Sequence, residues 1–313
     1  MLGRYGRWVL PGGLIAGVVL PWAAQPMKAA IPLCIGLLLF AAVLRIFSDA
    51  QLSSISGNRK SFLSLTGRVL LTQLGLPCLL LLLGSLLALP PIWLLAITLV
   101  AAAPPISGCP NLVLLMRGDA ALALRWLMLG TALLPLTCIP VLFFLYPEQP
   151  LSAMLQPSLM LLLLIAVSVG MALLVILITR RRHWVVNQSA MDGFSALVLA
   201  IMVIGLMSAL HDPETTIVDV LSMLTLAFAV NIGLQLVGVL MARVLNYGRS
   251  RAICSGVVCG NRNVALYLTA LPAVQIEPLL LFIACYQVPM YLTPLVGDFL
   301  YRRLEFKSHA RTR

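Results

Sequence analysis

Between Glu148 and Arg180 the chain carries no charged side chain, and most of that stretch is Leu, Ile, Val, Ala and Met. The hydrocarbon core of a bilayer takes about 20 apolar residues of helix to cross. Inside lipid every backbone polar group must find a partner within its own element, so only helices and closed barrels span. Barrel strands alternate apolar and polar residues, whereas the runs here are continuous. The chain therefore reads as an all-α membrane protein. Charged residues make up 10% of it and the mean hydropathy is +1.04, against about 25% charged in soluble domains.

Ten such segments are expected, over about 8–24, 31–47, 66–89, 92–117, 120–146, 152–180, 193–210, 216–246, 252–275 and 277–303. Linkers such as LYPEQP and HDPE mark turns between them. With the N-terminus in the cytoplasm, all of the 21 Lys and Arg residues fall on the cytoplasmic side except Lys28 and Arg262. That bias is what orients helical membrane proteins. It places both termini inside and suits the inner (plasma) membrane. It also accounts for the net charge of +11 without nucleic acid as a partner. The N-terminal segment imitates a signal peptide, with Arg4 and Arg7 before an apolar run, but is read as a retained first span because the charge bias works with it in place.

Two of the ten segments are interrupted. Residues 101–111 read AAAPPISGCPN, and residues 255–265 read SGVVCGNRNVA. Pro104, Pro105 and Pro110 cannot donate to a helix ladder, and Gly108 and Gly260 free the chain to turn. Dividing the chain into 1–150 and 151–313 gives two five-helix repeats of opposite orientation, each with its fourth helix broken. Broken helices at corresponding places in inverted repeats point to a transporter's binding site. Arg262, a charge within an apolar run, costs about 2.5–3.5 kcal/mol on insertion scales, and such residues face a cavity or a ligand pathway. Asp119 and Asp298 lie toward helix ends, Asp119 as the expected cap of the fifth helix. A ligand anion is thus the expected partner of Arg262, met by its planar fork and by the N-terminal dipoles of the half-helices that follow the breaks. Capping of free backbone carbonyls is the competing structural role.

Further polar residues fall within spans: Gln73, Asn231, Gln235, Tyr286 and Gln287. Each by itself is glue between helices, although Asn231 and Gln235 share a helix face. Gly13 and Gly17 form a GxxxG pattern suited to close helix packing. The seven cysteines lie in or beside apolar segments and read as small buried hydrophobes. Only Cys109 and Cys259 stand at breaks. His183, His211 and His309 fall in loops or the tail, and no catalytic constellation or nucleotide loop is present in the sequence. No enzyme activity, metal or cofactor is expected.

TQLGLP (72–77), PPISGCPNLVLLMRGDAALAL (104–124) and CGNRNVALYLTALP (259–272) together resemble motifs of the bile acid:sodium symporter family. The resemblance covers nearly the whole chain. It implies a panel and a core domain, with the fourth and ninth helices crossing at their breaks and an organic-anion site at the centre. Gln73, Asn111 and Asn263 keep the family's identities. The family's sodium-ligating acid is Val258 here, the motif Gln is Arg262, and the hydroxyl ligands fall on Ala123 and Leu127. Sodium coupling is therefore in doubt, and Arg262 stands where the family places a mobile cation.

The expected function is a secondary transporter of a small organic anion, working by alternating access in the lipid bilayer, with sodium or a proton as the coupling ion if there is one. The substrate-binding residues would be Arg262, Asn263, Asn261, Asn111, Ser107, Gln73, Tyr286, Gln287 and Asn231. An arsenite-type, thiol-seeking efflux carrier and a membrane receptor or scaffold that does not transport are the alternatives.

Overall fold

A computed structural model describes residues 12–48, 59–181 and 188–302. Arg4, Arg7, His183 and His309 lie outside the described residues. Every regular element among the described residues is helical. The helices, in chain order, are α1 (12–19), α2 (Pro21–Lys28), α3 (Ile31–Ser48), α4 (Arg59–Leu86), α5 (Pro91–Ala102), α6 (Cys109–Leu115), α7 (Ala120–Leu145) and α8 (Leu151–Arg181). They continue with α9 (Gln188–Leu206), α10 (Ile217–Val244), α11 (Arg249–Gly260) and α12 (Ala273–Arg302).

Six helical stretches are long and apolar enough to cross a membrane, and a seventh is added if α2 and α3, bent by 71°, count as one span. Leu159, Leu162, Leu163, Leu174 and Leu177 of α8 are all more than half exposed. An exposed leucine row of that kind belongs against lipid tails. The chain is thus a multi-pass, all-helical membrane protein.

Local sequence explains where the helices start and stop. Thr216 and Asp219 form a capping box at the start of α10, each side chain accepting from the other's backbone N–H. Asp119 caps α7 by accepting from Leu122 N at 2.9 Å, as expected from its place after Gly118. Within α4 the residues Leu71–Gly75 form a π-turn. Pro77 follows, and its missing N–H leaves the carbonyl of Gln73, four residues back, without a helical partner. The Leu76 N–H instead reaches Leu71 O, five residues back. Such turns are common at functional sites, and this one carries Gln73 into the interior.

Small residues let the helices approach closely. A Cβ on Gly238 would lie 2.2 Å from Ser255 O, and one on Gly260 would lie 2.2 Å from Gln235 Cγ. Together they allow α10 to lie against α11. Gly13 and Gly17 do the same for α1, facing Ala200, Ile204 and Met207. The helices pack around two apolar cores. The larger holds residues of α3, α5, α8, α9 and α12, including Leu99, Leu161, Leu206 and Phe282. The smaller gathers Leu65, Cys109, Trp126, Ile253 and Tyr301. The chain passes from the larger core at Ala103 to the smaller at Cys109, and from the smaller at Cys259 to the larger at Val264. Both interruptions lie on this boundary.

Candidate functional site

Helix α5 ends at Ala102 because Pro104 and Pro105 follow. A residue before proline is driven to extended backbone, and Ala103 has φ −68° and ψ 153°. Helix α11 ends at Gly260, and a 3-10 turn over Val264–Thr269 replaces the helix beyond it. The two ends meet through an isolated antiparallel bridge between Pro105 and Arg262. Ile106 N donates to Asn261 O at 2.9 Å, and Asn263 N donates to Pro104 O at 2.7 Å.

A helix end leaves its last carbonyls unpaired, and in a buried place each needs a donor. Six carbonyls at and just beyond these two ends have one. On the α5 side, Ala102 O accepts from Gln73 Nε2 at 3.5 Å, a long contact, and Ala103 O accepts from Arg262 Nη1 at 2.8 Å. Pro104 O takes the Asn263 N–H. On the α11 side, Cys259 O accepts from Arg262 Nε at 2.9 Å. Gly260 O accepts from Tyr286 OH at 2.6 Å and from Asn231 Nδ2. Asn261 O takes the Ile106 N–H.

The guanidinium of Arg262 is thus fully buried and clasps the carbonyl ends of both helices. These contacts are those of the competing structural role, the capping of free backbone carbonyls. The guanidinium stands at helix C-termini, whose partial negative charge favours a cation, and backbone carbonyls supply the compensation that its burial requires. One arm stays open, since Nη2 has no hydrogen-bond partner.

The remaining expected residues divide into two groups. Gln73 is fully buried, with Nε2 also 3.1 Å from Gly130 O and its Oε1 unpartnered. Asn261 donates from Nδ2 to Val257 O at 2.9 Å and accepts from Thr293 Oγ1 at 3.1 Å. Gln287 is buried but donates to Ile283 O in its own helix. Asn263 joins the meeting through its backbone only, with its side chain half-buried. Ser107 is also half-buried, and Asn111 on α6 is exposed, so the fold does not gather these two with the buried polar residues.

Sequence reasoning left out of this site a polar chain that continues from Asn231. Gln235 Nε2 donates to Asn231 Oδ1 at 2.7 Å and lies 3.3 Å from Thr293 Oγ1, and Tyr301 OH donates to Gln235 Oε1 at 3.2 Å. The four-residue spacing of Asn231 and Gln235 was the signal available for it. Beside this chain a small cleft lies between α10 and α12, lined by Phe228, Asn231, Ile232, Gln235, Pro289 and Thr293 among others.

Val258, Ala123 and Leu127 are buried and apolar. They supply no side-chain oxygen at the positions where the resemblance implies cation ligands. Cys109, Cys254 and Cys259 share the smaller core as free thiols. Among the described residues no group of three or more His, Cys, Asp or Glu is arranged to hold a metal ion. Neither the family models nor the curated proteins give a match to this chain.

Proposed function

We propose that the chain is a secondary transporter that moves a small organic anion by alternating access, with Arg262 as a resident cation in place of a mobile one. The observation that carries this reading is the fully buried guanidinium closing the carbonyl ends of two helices that break and meet. A covalent cation in that position takes the place of a mobile one, and its unpartnered Nη2 is a donor for an anionic group. In this reading the chain has ten spans in two inverted five-helix repeats, 1–150 and 151–313, with both ends cytoplasmic at the inner membrane. The basic residues and the resemblance to the bile acid:sodium symporters support it. Transport is then proton-coupled, by exchange or facilitated, rather than sodium-coupled.

The test begins with a thermal-shift panel of small carboxylates, sulfonates and phosphate esters on the purified protein. A ligand at a hundred times its Kd stabilises the folded state by about 2.7 kcal/mol. Anions that raise the melting temperature should also enter proteoliposomes faster than empty vesicles. If no anion shifts the melting and the proteoliposomes are no more permeable than empty ones, the transport reading fails.

A further inference from the structure

A second buried arginine lies at one end of the bundle, away from the two breaks. Three parts of the chain converge there: the first half of α4, the turn before α7 and the turn between α10 and α11. Asp119 N donates to Ser250 O at 3.1 Å, which ties the last two together. Arg68 of α4 is 8% exposed and lies between two rings, its guanidinium carbon 5.4 Å from the Trp126 centroid and 5.2 Å from that of Tyr247. Its Nε donates to Ser64 O at 3.1 Å, but its Nη1 has no partner. The indole Nε1 of Trp126, also buried, has none either.

Two more cations surround it. Arg251 also stands over the Tyr247 ring, 5.5 Å from its centroid, and Arg125, next to Trp126 in sequence, is half-buried. The charges of both act on Arg68 with the same sign as its own. Among the described residues one carboxylate pairs at this end, Asp119, at 3.9 Å from Arg251 and with its other oxygen already capping α7. The cluster therefore has three guanidiniums to one carboxylate, and two buried donors without an acceptor. An unpaired buried donor costs about 1–3 kcal/mol, and the neighbouring like charges add to that cost. What is missing is an anion with several acceptor oxygens, which a phosphate group supplies and an arginine fork matches.

We infer that Arg68, Arg125 and Arg251, with the Trp126 indole, form a phosphate-binding site separate from the meeting of the broken helices. The phosphate comes from a lipid headgroup at the membrane surface or from a free anion. The rings hold the Arg68 guanidinium flat and preorganised, and the two outer arginines draw the anion in.

Thermal melting of the full chain in detergent distinguishes the sources. The additions are a short-chain phosphatidylglycerol, a short-chain phosphatidylcholine and inorganic phosphate, at constant ionic strength. The expected result is a rise of at least about 3 °C with phosphatidylglycerol or with inorganic phosphate, but not with phosphatidylcholine. A rise with the lipid alone assigns the site to a headgroup, and a rise with phosphate as well assigns it to the phosphate group itself. The rise should vanish in the double variant Arg125→Gln, Arg251→Gln, whose changes lie outside the buried pair of rings, and shrink in Arg68→Lys, which keeps the charge without the flat fork. A rise undiminished in the double variant, an equal rise with phosphatidylcholine, or no rise with any addition overturns the inference.

Discussion

Arg262 Nη1 lies 2.8 Å from the carbonyl oxygen of Ala103, a residue 159 positions earlier in the chain. With Nε on Cys259 O, one side chain closes two helix ends that come from distant parts of the sequence. Removing it should leave two buried carbonyls without donors, at about 1–3 kcal/mol each. Arg262→Leu is therefore expected to lose most of its stability in a denaturant or thermal melt. Arg262→Lys should lose less, because it keeps the charge and reaches one carbonyl. Equal melting of Arg262→Leu and the parent would mean that the clasp contributes nothing.

Gly260 O receives two donors, Tyr286 OH and Asn231 Nδ2. Tyr286→Phe removes one and leaves the other. Its cost should be that of a single hydrogen bond, about 0.5–1.5 kcal/mol. Asn231→Leu should cost more, because it also removes the nearer acceptor of Gln235 Nε2, leaving it the 3.3 Å contact to Thr293 Oγ1. The two melting temperatures, compared with that of the double variant, measure how far the donors share one acceptor.

Gly238→Ala places a methyl group 2.2 Å from Ser255 O, a backbone atom that cannot turn aside. Helices α10 and α11 must then separate. Overpacking of this kind costs about 1–3 kcal/mol. Gly233→Ala, on the same helix with nothing within 4 Å, is the control and should melt within about 0.5 kcal/mol of the parent or higher.

At the start of α7, Asp119→Ala should cost about 0.5–2 kcal/mol through loss of the cap on Leu122 N. Its ion pair with Arg251 is long at 3.9 Å, and the arginine side chain is 60% exposed. Such pairs contribute little, so Arg251→Gln alone should leave the melting temperature almost unmoved. A larger loss from Arg251→Gln than from Asp119→Ala would reverse the roles given to the two residues.

The sequence alone placed both interruptions, because Pro104 and Pro105 cannot continue a helix and a Gly–Asn–Arg run is foreign to a lipid-facing one. It also placed Asp119 as a cap and the Asn231–Gln235 pair on one face. The partners of Arg262 were not legible. Whether a guanidinium meets amide or carbonyl ends depends on which half-helices face each other, and only the antiparallel pairing of Pro105 with Arg262 decides that. The exposure of Asn111 follows from how the short helix α6 is rolled, which its seven residues do not encode strongly. The π-turn at Gln73 had a sequence cause in Pro77, but a proline inside a helix can equally kink it without one. The side chain of Asp298, expected toward a helix end, lies outside the described residues.

The central claim is that Arg262 replaces a mobile cation in an anion transporter. It is tested most directly by proteoliposome uptake of the organic anion that best stabilises the protein, in sodium chloride and in choline chloride, for the parent and for Arg262→Gln reconstituted to the same level of folded protein. Uptake by the parent should be equal in the two salts and should fall to that of empty vesicles in Arg262→Gln. Uptake by the parent that requires sodium, or uptake undiminished in Arg262→Gln, would contradict it.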